Sequence, residues 1–325
     1  MKLNEMTELY ISYRRALGEK FKTNAQALRS FMKHIGGDTN PVELTVGQVE
    51  PYLYYPTGTV TAGWFIRHTA LKGMFQWAMS RGIMNNVPLP ADLPKRLEHM
   101  TPYIYSKPEL QRLFRSAMEY QKNRSKIHPE CMKMILQLTY FLGLRLHETM
   151  SLRIRDLNQP DLYVHIRESK FYKSRIVTYN HKVGELIDTF LKWREKQGMC
   201  CVPESKLFLD KKGLDMHIDT VRGAFERIRE HAGISRSDKS PFQPRLHDLR
   251  HTFAVHRLTS WYRENQDVQQ LLPVLSTYLG HTHLSHTSVY LTMTDGLLGE
   301  ANNRFESYIK PVSYTHLRAH ETRED

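Results

Sequence analysis

The chain has 325 residues, about 40% of them hydrophobic and 25% charged, enough apolar residues for a sizeable core and, by length, for two domains rather than one. Its net charge of +12 and pI near 9.5 point to a polyanionic partner. Three cysteines (Cys131, Cys200, Cys201) with no C-x-x-C pair exclude a disulfide framework or cysteine-rich zinc site and suit a reducing compartment. The N-terminus lacks a signal-peptide apolar core and no run of about 18 apolar residues occurs, so no membrane span is expected and the cytoplasm is the expected location.

Residues 1–80 read as helical. Leu9, Tyr10, Tyr13 and Leu17 recur at helical spacing, followed by Ala25, Leu28, Phe31, Met32 and Ile35. Gly36-Gly37 stops the second segment. Thr45–Tyr55 is a short third helix candidate. Ala62–Met79 is a longer one, with Trp64, Phe65, His68, Leu71, Phe75 and Ala78 able to share a face. Pro88, Pro90, Pro94 and Pro102 then break every helical period, which places a domain boundary within residues 85–104.

Ser106-Lys107-Pro108-Glu109 is a capping box that opens a new helix. Cys131–Leu142 is apolar nearly all round and reads as a buried helix. Leu162, Val164 and Ile166 alternate with Tyr163, His165 and Arg167, a strand pattern, and Arg175–Tyr179 reads as a second strand. The polar connection between them carries Lys170 and Lys173, so a small hairpin with lysines at its tip is expected. Helical patterns return over 181–198, 217–232, 246–262, 267–279 and 296–310. Residues 311–325 are polar and aperiodic, a disordered or non-native tail. The basic excess is +5 over residues 1–97 and +7 over 98–325, which suits a protein that grips a duplex from two sides.

Three segments carry chemistry. In Gly143-Leu144-Arg145, with Glu148 three residues on, an Arg stands against a hydrophobic segment, and its planar fork suits a phosphate. The bland alternative is a structural Arg145–Glu148 pair. In His247-Asp248-Leu249-Arg250, helical spacing turns a proton-exchanging imidazole and a fixed cation to one side, though a charged amphipathic helix would look the same. In Leu279-Gly280-His281, Tyr290 follows nine residues after the histidine. A lone Tyr at helical spacing is more often core, because a phenol of pKa about 10 is a weak nucleophile unless its site activates it.

The order and spacing of these segments resemble the tyrosine recombinase (phage integrase-like) family. That resemblance covers residues 103–310 well, and residues 1–97 only as a preceding basic helical domain. It implies a mostly α fold with a small antiparallel β-hairpin or sheet (α+β). It implies a helical, SAM-like DNA core-binding domain over 1–97 and a catalytic domain over 98–310. It implies site-specific recombination of double-stranded DNA by transesterification, without metal or nucleotide cofactor, by a homotetramer on two sites. In that frame Tyr290 is the nucleophile. Arg145 and Arg250 stabilise the transition state, and His247 accepts or positions the Tyr290 proton. His281 bonds the phosphate, and Lys170 or Lys173 protonates the leaving oxygen, Lys170 fitting the family pattern better although its flanking glycines are absent. Glu148 and Asp248 orient the others. Three other readings compete: a type IB topoisomerase-like enzyme using similar groups; a metalloenzyme using His247, His251, His281, His283 and His286, although the H-E-x-x-H glutamate is missing; and a DNA-binding module with a dead active site, against which the intact set of six residues argues.

Overall fold

The computed structural model describes residues 1–54, 58–95, 101–120, 125–167, 174–238, 240, 242–292 and 299. The chain divides into two compact units, residues 1–99 and 100–325. Among the described residues no helix is long and apolar enough to cross a membrane.

The first unit is helical: α1 (Leu3–Ala16), α2 (Lys22–Ile35), α3 (Val46–Leu53) and α4 (Ala62–Ser80). Helix α4 packs against the other three around Tyr10, Phe31, Trp64 and Phe75. The inward stripe of α1 is Leu3, Met6, Tyr10 and Ile11 rather than the expected Leu9, Tyr10, Tyr13 and Leu17. Leu9, Tyr13 and Leu17 are exposed. Two stripes share Tyr10, and the one starting at Leu3 is continued by Met6, one turn earlier. Tyr13 instead lies beside Trp77, with ring centroids 5.9 Å apart, under the Arg81 guanidinium.

The second unit holds the mixed part. Its first helix, α5 (Lys107–Glu119), opens on the expected capping box, where Ser106 N donates to Glu109 Oε2 at 2.8 Å. Helix α6 (Pro129–Phe141) is buried on nearly every side, as its sequence predicts. It packs on α5, on α7 (Leu146–Ser151), on α8 (His181–Lys196) and on α10 (Asp248–Arg263). Helix α9 (Ile218–His231) packs on α5 and α7, α11 (Val268–Leu279) packs on α10, and the short α12 (Ser285–Ser288) leads into a turn at Val289–Thr292.

The sheet is three-stranded and antiparallel, in the order β1 (Leu157–Asn158), β2 (Tyr163–Ile166), β3 (Arg175–Thr178), with Val164 opposite Val177 and Ile166 opposite Arg175. Val164, Ile166 and Val177 enter the core. Leu162, expected in the strand, takes a left-handed conformation with φ 54° just before it. Two-residue β1 carries too short a pattern to be read from sequence. The β2–β3 connection, with Lys170 and Lys173, lies outside the described residues, as do the expected helix over 296–310, but for Gly299, and the tail.

Gly143 ends the α6 turn with φ 58°, and a Cβ there would stand 2.5 Å from Phe253 Cδ1 and 2.9 Å from Leu279 Cδ2. Gly143→Ala therefore combines left-handed strain of about 1–2 kcal/mol with overpacking of about 1–3 kcal/mol. A fall in Tm of roughly 4–20 °C is expected from that sum. Gly213→Ala is the control: it has φ 75° but nothing within 4 Å, so only the strain is felt. Equal melting shifts for the two variants would refute the close approach at Gly143.

Candidate active site

Helix α10 brings the second and third motifs together. Its arginine, Arg250, points inward and is 1% exposed. Arg250 Nη1 donates to Gly143 O at 2.6 Å and Nη2 to Leu279 O at 2.5 Å. Arg145, at the start of α7, donates through Nη1 to Leu279 O at 3.4 Å and through Nη2 to Gly280 O at 2.9 Å. Each arginine thus closes on a backbone carbonyl from a segment far along the chain. Burial, and then repulsion from Arg145, lower the Arg250 pKa to about 9, against the pull of Glu148, so the group stays charged at neutral pH.

Glu148 ties the cations together. Its side chain is 5% exposed. It accepts from Arg145 Nη1 at 2.8 Å and from Arg145 N at 3.0 Å, so the expected Arg145–Glu148 pair exists and also caps α7. It accepts from Arg175 Nη1 at 2.9 Å and Nη2 at 2.8 Å, and Arg250 stands 3.9 Å away. One carboxylate among three guanidiniums leaves an excess of positive charge, which suits an anion. Arg145 keeps 24% of its side chain exposed and so presents that charge outward. Arg175 lies outside the motifs that the sequence singles out. Its signal was a cation two residues before inward-facing Val177, hence on the same strand face.

Asp248 is buried and grips Arg245, accepting from its N at 2.8 Å and its Nη2 at 2.8 Å. Its backbone carbonyl accepts from Thr252 Oγ1, whose oxygen accepts from Tyr105 N at 3.0 Å. Asp248 therefore anchors the start of α10 and, through Thr252, Tyr105 just before α5.

Tyr290 is 2% exposed and packs in a cluster with Phe253, Leu258, Leu275 and Leu279. Its hydroxyl lies 2.9 Å from His251 Nδ1. The family resemblance has His247 accept or position the Tyr290 proton, yet the imidazole at the hydroxyl belongs to His251, one turn further along the chain. The His247 ring meets His251 edge to face at 4.9 Å and keeps an edge open to solvent. The protein enclosing the rest of His247, then the charges of His251, Arg250, Arg245 and Arg145, lower its pKa. Burial and then Arg250 and Arg245 lower His251 to about 4, with Asp248 opposing. Burial raises the Tyr290 pKa, while Arg250 and Arg145 pull it back. The pair is thus a neutral phenol against a neutral imidazole. A phenol is the better donor and an imidazole nitrogen the better acceptor, so Tyr290 donates to His251.

Gly280 ends α11 with φ 68°, turning His281 back toward the arginines. His281 Nδ1 lies 2.7 Å from the hydroxyl of buried Thr287, and the His281 ring stacks beside Tyr290 with centroids 6.2 Å apart. Burial, then Arg250 and Arg145, lower His281 to about 3. The bond to Thr287 fixes the ring's orientation, and in the tautomer that accepts at Nδ1 the Nε2–H is left to donate. His283 and His286 are exposed, and among the described residues no three His, Cys, Asp or Glu side chains gather as a metal-binding group. Of the residues singled out from sequence, Arg145, Glu148, Arg250, His281 and Tyr290 form one connected site, with His247 at its edge. Lys170 and Lys173 lie outside the described residues.

Residues 106–296 match the model of the phage integrase family. The chain belongs to the phage integrase family. It is a site-specific DNA recombinase of the tyrosine class. The integrase is 30% identical over 299 residues to the putative integrase/recombinase y4rB of Sinorhizobium fredii, across 91% of this chain and 95% of that one. It is 28% identical over 236 residues to a tyrosine recombinase of Pseudothermotoga lettingae, across 73% and 72% of the two chains. Its fold is that of the Tn1549 transposon integrase in complex with a circular intermediate DNA, with a TM-score of 0.67 at 17% identity over 94% of this chain and 99% of that one. A lambda integrase dimer bound to a COC′ core site gives 0.63 at 18% identity, over 88% and 97%.

Proposed function

We propose that Tyr290 is the nucleophile of this recombinase and that Arg145, Arg250, His247 and His281 form the phosphate site around it. The observation that carries this reading is convergence. Arg145 and Arg250 both bond Leu279 O, next to Gly280-His281, and the residue following Arg250 holds the Tyr290 hydroxyl. Three motifs spread over about 150 residues of chain thus meet around the Leu279-Gly280 carbonyls, with Tyr290 alongside them through His251 and His281.

In the proposed reaction Tyr290 Oη attacks the scissile phosphorus, forming a 3′-phosphotyrosyl bond as the P–O5′ bond breaks. A 5′-hydroxyl then reverses the step on a second strand. The ester bond is conserved in the covalent intermediate, so the exchange is close to energetically neutral. The guanidiniums stabilise charge growing on the non-bridging oxygens, each such donor being worth about 3–4 kcal/mol by analogy with oxyanion sites. His281 donates to one of these oxygens, and solvent-open His247 faces the phosphate. Lys170, or Lys173 in its place, protonates the leaving oxygen. Glu148 orients Arg145, and Asp248 orients the α10 turn that carries His247. Tyr290 and Arg250 are 2% and 1% exposed, so the chain around them opens when a phosphate enters.

The partner is double-stranded DNA, supported by the +12 charge and by the DNA complexes of the two integrases of like fold. Residues 1–97 act as the core-binding domain and 98–310 as the catalytic one. The working assembly is a homotetramer on two sites, acting in the cytoplasm. The test is covalent capture. A nicked duplex carrying the core site, recovered from random duplexes by adduct formation, is incubated with the protein, digested and mapped by mass spectrometry. The DNA remnant is expected on Tyr290. A remnant on any other residue refutes the assignment.

A further inference from the structure

His251 follows Arg250 directly and lies one helical turn beyond His247, outside the set of residues that the motifs pick out. We infer that His251 is the base that takes the Tyr290 proton during cleavage, leaving His247 to the phosphate. The inference rests on Tyr290 being the nucleophile.

The geometry is that of a proton-transfer pair. His251 Nδ1 is 2.9 Å from the hydroxyl, within the reach a general base needs, and the rings lie 5.5 Å apart at 57°. The His247 ring also stands edge to face with His251, which limits the swing of the imidazole. Both partners sit on supported backbone: His251 within α10, and Tyr290 in the apolar cluster.

The electrostatics give the transfer a trigger. The charged and titratable groups that act on His251 are Arg245 and His247 just before α10, Asp248 and Arg250 within it, and His281 and Tyr290 from the segment after α11. Burial, and then the cations, keep the imidazole neutral and able to accept, but they also make it a weak base. An entering phosphodiester brings negative charge beside Arg145 and Arg250. That charge offsets the repulsion and raises the basicity of His251 when substrate is bound. The same arginines stabilise the phenolate character that develops on Tyr290.

The step balances. The proton passes from Tyr290 Oη to His251 Nδ1 as an Oη lone pair forms the bond to phosphorus. The P–O5′ electron pair leaves with O5′, which takes its proton from the separate acid assigned above to Lys170 or Lys173. In the rejoining step a 5′-hydroxyl attacks, Tyr290 departs, and the proton returns to it from His251.

His251→Asn tests this, because the Asn amide oxygen stands near the Nδ1 position and can accept the hydroxyl hydrogen bond but cannot carry the proton. His251→Gln is the second variant, in case the first does not fold. The substrates are the captured nicked duplex and the same duplex with a bridging sulfur at the scissile 5′ position. A thiolate leaves without protonation, so the sulfur bypasses the acid and not the base. The expected result is a roughly 10²–10⁴-fold slower adduct formation on both substrates, with DNA affinity unchanged. Adduct formation at the wild-type rate overturns the proposal. So does a faster rate, which would make the His251–Tyr290 bond a restraint, and so does a defect that vanishes on the sulfur substrate. Failure of wild type to form any adduct at Tyr290 sinks the nucleophile assignment itself, a result separable from these.

Discussion

Tyr290→Phe is expected to abolish the covalent protein–DNA adduct while leaving the fold and the affinity for DNA in place. The substitution removes one oxygen and keeps the ring. That ring fills the cluster with Phe253, Leu258, Leu275 and Leu279, so the packing survives. The lost hydroxyl costs its bond to His251, about 1 kcal/mol, because His251 is only partly buried and water can replace the partner. A Tm fall of roughly 2–4 °C follows. Affinity is unaffected because phosphate contacts by lysines and arginines dominate it. A denaturing gel of the nicked-substrate reaction reads the adduct, and a salt titration of binding reads the affinity. A covalent band persisting in the Phe variant would show that a different residue attacks, and loss of binding would show that Tyr290 is structural.

Much of the site is legible in the sequence because its parts obey short-range rules. The spacing of His247 and Arg250 follows from helix periodicity, with His247 as the N-cap of α10 and Arg250 in its first turn. The Arg145–Glu148 pair is three residues apart, and Gly280 marks the end of α11 through its left-handed φ. What the sequence hides is long-range. Arg175 reaches Glu148 across 27 positions and His251 reaches Tyr290 across 39, and no local pattern encodes which side chains meet after folding. The two arginines also differ in a way that residue type cannot announce. Arg250 is enclosed by carbonyls, whereas Arg145 keeps an outward edge. In the first unit the ambiguity is of another kind. Tyr10 belongs to two possible stripes of α1, and packing against α2 and α4 selects the one with Leu3 and Met6.

Glu148→Gln is expected to destabilise the second unit by about 3–5 kcal/mol, the usual cost of stripping one partner from a buried ionic set. The substitution preserves shape but takes the single negative charge from between Arg145, Arg175 and Arg250. The new amide also turns a donor toward guanidiniums that are themselves only donors. Arg250 cannot escape to solvent, since its other bonds are to Gly143 O and Leu279 O inside the core. A Tm lowered by roughly 6–20 °C is the readout, with cleavage reduced further because Arg145 loses its anchor. Arg175→Met should cost less, about 1.5–3 kcal/mol, because Glu148 still has Arg145 and Arg250. The double variant is the decisive measurement. Removing Arg175 also removes part of the repulsion that Glu148→Gln exposes, so the double loss should fall short of the summed single losses by about 1–3 kcal/mol. Strict additivity would mean that the carboxylate does not hold the cations as one unit, and the phosphate site would then lack the electrostatic frame assigned to it.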